Sequence, residues 1–338
     1  MMRAIGLDYE RRQLVETRIP VPQRRNPDNV LFRIYEVGVC GTDRELAAFQ
    51  LGYPPAGESF LVLGHEALGR VEETGAAVRG LQPGDWVAPM IRRACSPPCP
   101  SCARGRRDLC LSGRAPERGI FGWHGYFTEW AVDRAEDLIV VPPELVECAV
   151  LIEPLSVVEK AVERALRLAE APPSTALVLG AGAIGLLAGL SLLHRGLRVW
   201  LHSLESPDHP RARLAESAGL AYLARPEQKA DIIVEATGSA EAAFTALQWL
   251  APAGVCALLG APNAAGLFPF LDLIVRNQVV FGSVNASPQS FQSAVEDLKR
   301  FDRRLLRAMI HRVPAGAFRQ TIPDPSPRAP KTVHVLAE

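Results

Sequence analysis

Two textures of apolar and polar positions divide the chain. Up to about residue 150, short apolar runs are broken every few residues by Gly and Pro: Val30–Val37, Ala67–Glu72, Trp86–Pro89, Phe127–Val132 and Leu138–Val141. The N-terminal Met1–Gly6 also starts like a strand. This rhythm predicts a small, irregular β domain. From about Pro154 the apolar positions fall into a helical period, over Leu155–Ala171, closing at Pro172-Pro173. Strand and helix then alternate. Thr175–Leu179, Leu197–His202, Ile232–Glu235 and Val255–Leu259 read as strands; Ile184–His194, Arg211–Ala218 and Ala240–Leu250 read as helices. Repeated βα units predict a parallel sheet with helices on both faces, an α/β fold. Ser203–Pro210 reads as a loop after the second strand. Past Ser290 there is one amphipathic helix, Phe291–Phe301, and then a Pro-rich end whose pattern assigns it to neither domain.

Composition narrows the function classes. Lys+Arg and Asp+Glu are both 37 in 338 residues, so no global basic field attracts DNA, RNA or anionic lipid. The length suits two domains, and 48% apolar residues are enough to build their cores. Only four basic residues are Lys, a bias that codon usage alone produces. Ala176–Leu193 is free of charge over the length of a membrane span, but it carries Gly180, Gly182, Gly185 and Gly189 behind a β-like lead. A buried strand–turn–helix accounts for it. No signal-peptide core opens the chain, so the expectation is a soluble cytoplasmic protein without a membrane partner. Seven cysteines, four of them within residues 95–110, point to metal more than to disulfides.

Three motifs carry chemistry. In Gly180-Ala181-Gly182-Ala183-Ile184-Gly185, between an apolar strand and a helix, the glycines permit a tight turn and close approach of backbone to a pyrophosphate. Past the second strand, Ser203, Arg211 and Arg213 argue for NADP, while Glu205 argues for NAD; the sequence leaves the dinucleotide open. Cys95, Cys99, Cys102 and Cys110 can close a tetrahedral zinc shell with no open position, a structural site. A nucleic-acid zinc ribbon is the alternative, supported slightly by Arg104, Arg106, Arg107 and Arg114, but no second cysteine pair or interleaved aromatics accompany it. The third set is scattered: Cys40-Gly41-Thr42-Asp43, Gly64-His65-Glu66 and Glu153-Pro154. A thiolate, an imidazole and one or two carboxylates can bind a catalytic zinc with an open position. Thr42 then lies where an alcohol proton leaves, and Asp43 where it can orient His65. On spacing alone, a lone Cys and a lone His are more often buried or incidental.

In their order along the chain these motifs, with Val234-Glu235-Ala236-Thr237-Gly238, resemble the zinc-dependent medium-chain alcohol dehydrogenases. Cys40–Glu45, Glu153–Lys160 and Asn277–Asn285 are similar to their glucose 1-dehydrogenase branch. The resemblance implies a GroES-like catalytic domain over 1–155 with a zinc lobe at about 92–115. It further implies a Rossmann domain over 156–286 and a segment, 287–338, returning to the first domain. It implies a catalytic zinc on Cys40, His65 and one or both of Glu66 and Glu153, with Thr42, Glu66 and Glu153 catalytic. Thr42, Glu117, Glu153 and Asn285 would meet the sugar. Gly180, Gly182, Ala183, Ile184, Gly185, Ser203, Glu205, Arg213, Thr237 and Asn285 would meet NAD(P).

The implied reaction is oxidation of an aldose C1 hydroxyl to the aldonolactone with hydride transfer to NAD(P)+, in a homodimer or homotetramer. A polyol or secondary-alcohol dehydrogenase is the alternative within the family. A dinucleotide-binding zinc protein without turnover is the alternative outside it. The chain departs from the branch in three places. Cys95 and Cys99 are one residue farther apart than usual; Ser203-Leu204-Glu205 replaces Asn-Arg-Arg; Ile91 stands where a sugar-binding Asn is expected. His124, His194, His202, His209, His311 and His334 form no constellation, and Cys148 and Cys256 read as core.

Overall fold

The computed structural model describes residues 1–260, 270–324 and 329–337. Positions 261–269, within the range expected for the dinucleotide domain, and 325–328 and 338, in the Pro-rich end, lie outside the described residues.

The first half of the chain folds as β structure. Asn29–Gly38 is its central strand, flanked by Glu66–Thr74 and Trp130–Arg134, with Trp86–Pro89 and Leu138–Val141 continuing outward. A second, three-stranded sheet pairs Met2–Asp8 with Gln13–Ile19 and Phe60–Val62. The strand expected over Phe127–Val132 lies later, at Trp130–Arg134, because Phe127 is fully inside the core and bonds Leu63 and Ile5 instead.

The second half alternates as the pattern predicts. Six parallel strands are ordered Ala221–Leu223, Arg198–His202, Thr175–Leu179, Ala230–Glu235, Leu250–Leu258 and Val279–Gly282. This is the doubly wound order, whose switch point lies beside Thr175–Leu179 and Ala230–Glu235. The apolar stretch that mimics a membrane span is the central strand Thr175–Leu179 plus helix Ala183–His194. Among the described residues no helix is long and apolar enough to cross a membrane.

The helix expected from Leu155 begins earlier, spanning Ile152–Leu168, so Glu153 stands in its first turn. Pro154 does not stop it, since the N–H that proline lacks would be unpaired in a first helical turn anyway. A boundary at 155/156 therefore falls inside this helix. One core spans both halves: Leu155 and Val158 of the helix share a buried cluster with Leu68 and Ala88 of the first half and with Leu187, Val234 and Leu298 of the second. Sheet and tail meet here too, through helix Pro288–Arg300.

The Pro-rich end, which the sequence pattern left unplaced, returns to the first domain. Lys331–Val335 adds to the central strand, Val333 opposite Gly38 and His334 opposite Val37, and Ile310–Pro314 pairs alongside in parallel. His334 is fully buried, 4.9 Å from the Phe127 ring, with Nε2 2.9 Å from Thr321 Oγ1. Burial depresses its pKa to about 4. The unfolded chain, with an ordinary imidazole, binds the proton first, so this group's stabilisation is present above pH 6.5 and is lost as pH falls toward 4. Urea titrations should show the stability advantage of wild type over His334→Gln shrinking by about 1.4 kcal/mol per pH unit below pH 6.5. Parallel pH profiles for the two proteins would contradict this account.

Candidate active site

Gly180 follows the buried strand Thr175–Leu179 with φ of 108°, a turn that side chains resist. At Gly185 a Cβ would lie 1.9 Å from the Gly180 carbonyl, so the helix starting at Ala183 can approach the strand only with glycine there. Gly182 caps that helix, and Ala183 and Ile184 form its first turn. A cleft of about 700 Å³ opens above it, lined by Gly180, Ala181, Gly182, Ser203, Glu205, Arg211, Thr237 and, from the other domain, Arg44. Thr237 is fixed by Glu235, whose Oε1 accepts its N–H at 2.6 Å and its hydroxyl at 2.5 Å. The Ser203 hydroxyl bonds Tyr222 at 2.9 Å. Burial opposes ionisation of Glu205, but the Ser203 hydroxyl, a backbone N–H and the Arg211 guanidinium, 3.4 Å away, hold its carboxyl below the usual range.

Arg213, expected to meet the dinucleotide, stands apart from the cleft lining. It is exposed and bonds Asp208 at 3.0 Å, outside the residues lining the cleft. Arg211 and Arg213 share helix Pro210–Ser217, and residues two apart on a helix face opposite ways. Arg211 is the one turned toward Glu205.

Across the cleft, Cys40 caps helix Gly41–Ala47, and its N–H donates to Asp43 Oδ2 at 2.8 Å. Cys40, His65 and Glu66 each bring a ligand atom within 4.8 Å of the others. Asp43 Oδ1 lies 3.5 Å from His65 Nδ1; both atoms are buried and otherwise unpartnered. Burial lowers the His65 pKa, but the Asp43 and Cys40 charges outweigh it and raise it. Thr42 Oγ1 is 3.9 Å from Cys40 Sγ. A sulfur, an imidazole and a carboxylate at this separation, with a buried carboxylate behind the imidazole, fit zinc. Glu153 stands beside them on the first turn of its helix. Desolvation, and then the nearby Glu66 carboxylate, push its pKa up to about 7.

Lys331 is absent from the sequence reading. From the returning strand, its ammonium donates to both oxygens of Glu66 at 2.6 Å and to the Val39 carbonyl at 3.2 Å, with both side chains buried. Nothing local marks it, because its partner is 265 positions away.

The four lobe cysteines also converge, with Cys95 and Cys102 sulfurs 3.7 Å apart and Cys99 and Cys110 4.0 Å apart. The longer first spacing is absorbed by a turn in which the Cys99 N–H reaches Cys95 Sγ at 3.2 Å. Backbone N–H groups draw Cys99 down to about 6, and the Ser112 hydroxyl draws Cys110 down to about 7. Burial pushes Cys102 up to about 12. Four converging sulfurs, two of them already favouring thiolate, fit a closed zinc shell.

Glu117 is buried beside the lobe, its Oε1 accepting from Arg92 Nε at 3.0 Å and Nη2 at 2.5 Å. The Asn285 amide completes a three-residue set. With the amide turned so that its oxygen faces Arg92 and its nitrogen faces Glu117, the orientation that satisfies both, the oxygen accepts from Arg92 at 2.7 and 3.1 Å and the nitrogen donates to Glu117 Oε2 at 3.2 Å. Arg92 and Glu117 also line a cavity of about 170 Å³ with Tyr53 and Phe121. Ile91 itself is buried in the catalytic-domain core, so it brings no polar group to this place.

The profile of the alcohol dehydrogenase GroES-like domain matches residues 26–143, and that of the glucose dehydrogenase C-terminus matches 146–325. A glucose 1-dehydrogenase of Methanocella arvoryzae is 40% identical over 311 residues, covering 86% of this chain and 87% of that protein. One from Thermoproteus tenax is 38% identical over 312 residues, covering 86% and 88%. The chain belongs to the zinc-dependent medium-chain alcohol dehydrogenases, in their glucose dehydrogenase branch. Its fold is that of the Haloferax mediterranei glucose dehydrogenase in complex with NADP, Zn and gluconolactone, at 30% identity, a TM-score of 0.90 and full coverage of both chains.

In this glucose dehydrogenase relative, removing the Lys331 ammonium strands a buried carboxylate. Lys331→Met should therefore cost about 3–5 kcal/mol in urea unfolding, and Lys331→Met with Glu66→Gln appreciably less. Equal losses in the single and double variants would show that the pair does not support the fold.

Proposed function

We propose that this chain is a zinc-dependent, NAD(P)-dependent aldose dehydrogenase, oxidising the C1 hydroxyl of a glucose-like pyranose to the aldonolactone. One observation carries the reading. The helix capped by the candidate zinc ligand Cys40 also lends Arg44 to the cleft above Gly180–Gly182, so the element that carries a metal donor borders the dinucleotide cleft. The glucose 1-dehydrogenase relatives, and the Haloferax structure holding NADP, Zn and gluconolactone, support it.

Cys40 and His65, with Glu66, hold the catalytic zinc, and Cys95, Cys99, Cys102 and Cys110 hold the structural one. When bound, the catalytic zinc supplies a Lewis acid and the nicotinamide a hydride acceptor. Thr42 takes the proton of the substrate hydroxyl and passes it outward. Glu153 hydrogen-bonds a ring hydroxyl. Glu117 and Asn285 hold further ring hydroxyls, and Arg92 bonds and orients Glu117. The backbone of Gly180, Gly182, Ala183, Ile184 and Gly185 seats the pyrophosphate. Ser203 and Glu205 meet the adenosine ribose, with Arg211 beside them, and Thr237 lines the cleft. A cytoplasmic homodimer or homotetramer completes the reading.

Steady-state assays crossing NAD and NADP with glucose, galactose, xylose, sorbitol and a secondary alcohol test it. An aldose should reduce the nicotinamide, and Cys40→Ser and Glu153→Ala should each lower kcat/KM by 100-fold or more, roughly 3 kcal/mol or more of transition-state stabilisation. Turnover of sorbitol or the secondary alcohol without any aldose would replace the reading with the polyol or secondary-alcohol one. In the same assay Glu205→Ala should raise the NADP/NAD ratio of kcat/KM about tenfold, since it removes a carboxylate that repels a 2′-phosphate. Metal analysis should find about two zinc ions per chain and about one in Cys110→Ser.

A further inference from the structure

Asn285 stands half-buried in the joint between strand Val279–Gly282 and helix Pro288–Arg300, with φ of 61°. Asn tolerates this left-handed conformation, but tolerance does not hold it there. The side chain of its neighbour Val284 is mostly exposed, so apolar packing does not anchor the joint at that residue.

Two polar grips do. Lys160, buried on the domain-spanning helix Ile152–Leu168, donates to the Val284 carbonyl at 2.9 Å. The same ammonium lies 3.0 Å from Asp108 Oδ2. Asp108 is buried in the cysteine lobe, in the turn Arg107–Leu109 just ahead of Cys110, where Arg106 also holds it at 2.9 and 3.0 Å. On the other side, Arg92 and Glu117, at the two ends of the lobe segment, grip the Asn285 amide through the three contacts already given. Two consecutive residues of the dinucleotide domain are thus tied to the lobe from different directions.

We propose that the cysteine lobe, through Asp108 and Lys160, sets the position of the Val284–Asn285 backbone, so that Lys160 is a positioning residue acting on the substrate through Asn285. The inference rests on the aldose reading only in giving Asn285 a substrate to face. The ammonium fixes where the residue stands, and the Arg92–Glu117 pair fixes how its amide is turned. A lobe with no chemistry of its own then governs the geometry of a substrate contact.

The test is a double-substitution cycle on the zinc-replete, full-length protein, combined with hydrogen–deuterium exchange. Lys160→Met leaves Asp108 paired with Arg106, so the fold and the zinc content should persist. It should lower kcat/KM for the aldose by about tenfold, with the dinucleotide Kd within about twofold of wild type. In an Asn285→Ala background the same substitution should change kcat/KM by less than about twofold, because its effect passes through Asn285. Lys160→Arg, which keeps a donor and a charge, should recover most of the loss.

Amide exchange in peptides covering 280–287 should speed up in Lys160→Met while exchange elsewhere stays as in wild type. Additive losses in the cycle, an Asn285→Ala protein as active as wild type, or unchanged exchange at 280–287 would each overturn the proposal. If no aldose is turned over, the aldose reading fails by itself and the exchange measurement alone decides the positioning role. A Lys160→Met protein that does not fold would also overturn it, since the ammonium would then be required by the core and not by the joint.

Discussion

Burying a carboxylate at the junction of two domains is costly unless a cation is brought to it, and much of the site is built around that constraint. Glu66 has Lys331, Glu117 has Arg92, and Asp108 has Lys160 and Arg106. Lys331 comes from the returning strand, Lys160 from the domain-spanning helix and Arg92 from the strand-to-lobe turn. An unpaired buried charge costs several kcal/mol, so each pairing forces its segment into place. The acids that chemistry needs in the cleft therefore hold the tail, the lobe and the joint in register.

Glu153 departs from this arrangement. Among the described residues no ion pair is formed by it, and burial beside Glu66 pushes it to about 7. Glu66 is gripped by Lys331, whereas no such grip reaches Glu153 among the described residues. One environment thus separates two acids of the same type. The helix start at Ile152 makes this possible, since it carries Glu153 into the cleft on the element that joins both domains.

The dinucleotide side works by a different economy of means, mostly backbone. The close approach at Gly185 and the turn at Gly180 leave room where a phosphate can meet helix N–H groups, and the lip beyond is where selectivity is read. There Glu205 and Arg211 face one another across 3.4 Å, so the carboxylate and the guanidinium that favour opposite dinucleotides are paired with each other.

Much of this was legible in the sequence wherever the partners are neighbours in the chain. The βα alternation, the glycine turn and the cysteine cluster are encoded within short windows, because strand, helix and loop patterns depend on residues a few positions apart. The scattered set Cys40, His65, Glu66 and Glu153 was legible only through resemblance, since spacing alone does not bring them together. Arg211 and Arg213 were both candidates, because the sequence does not show which of them that helix turns toward the cleft. The placement of the tail, and with it Lys331, was out of reach. Its partner lies 265 residues away, no period marks a single cation, and only closure of the first-domain sheet by Lys331–Val335 decides which carboxylate it meets.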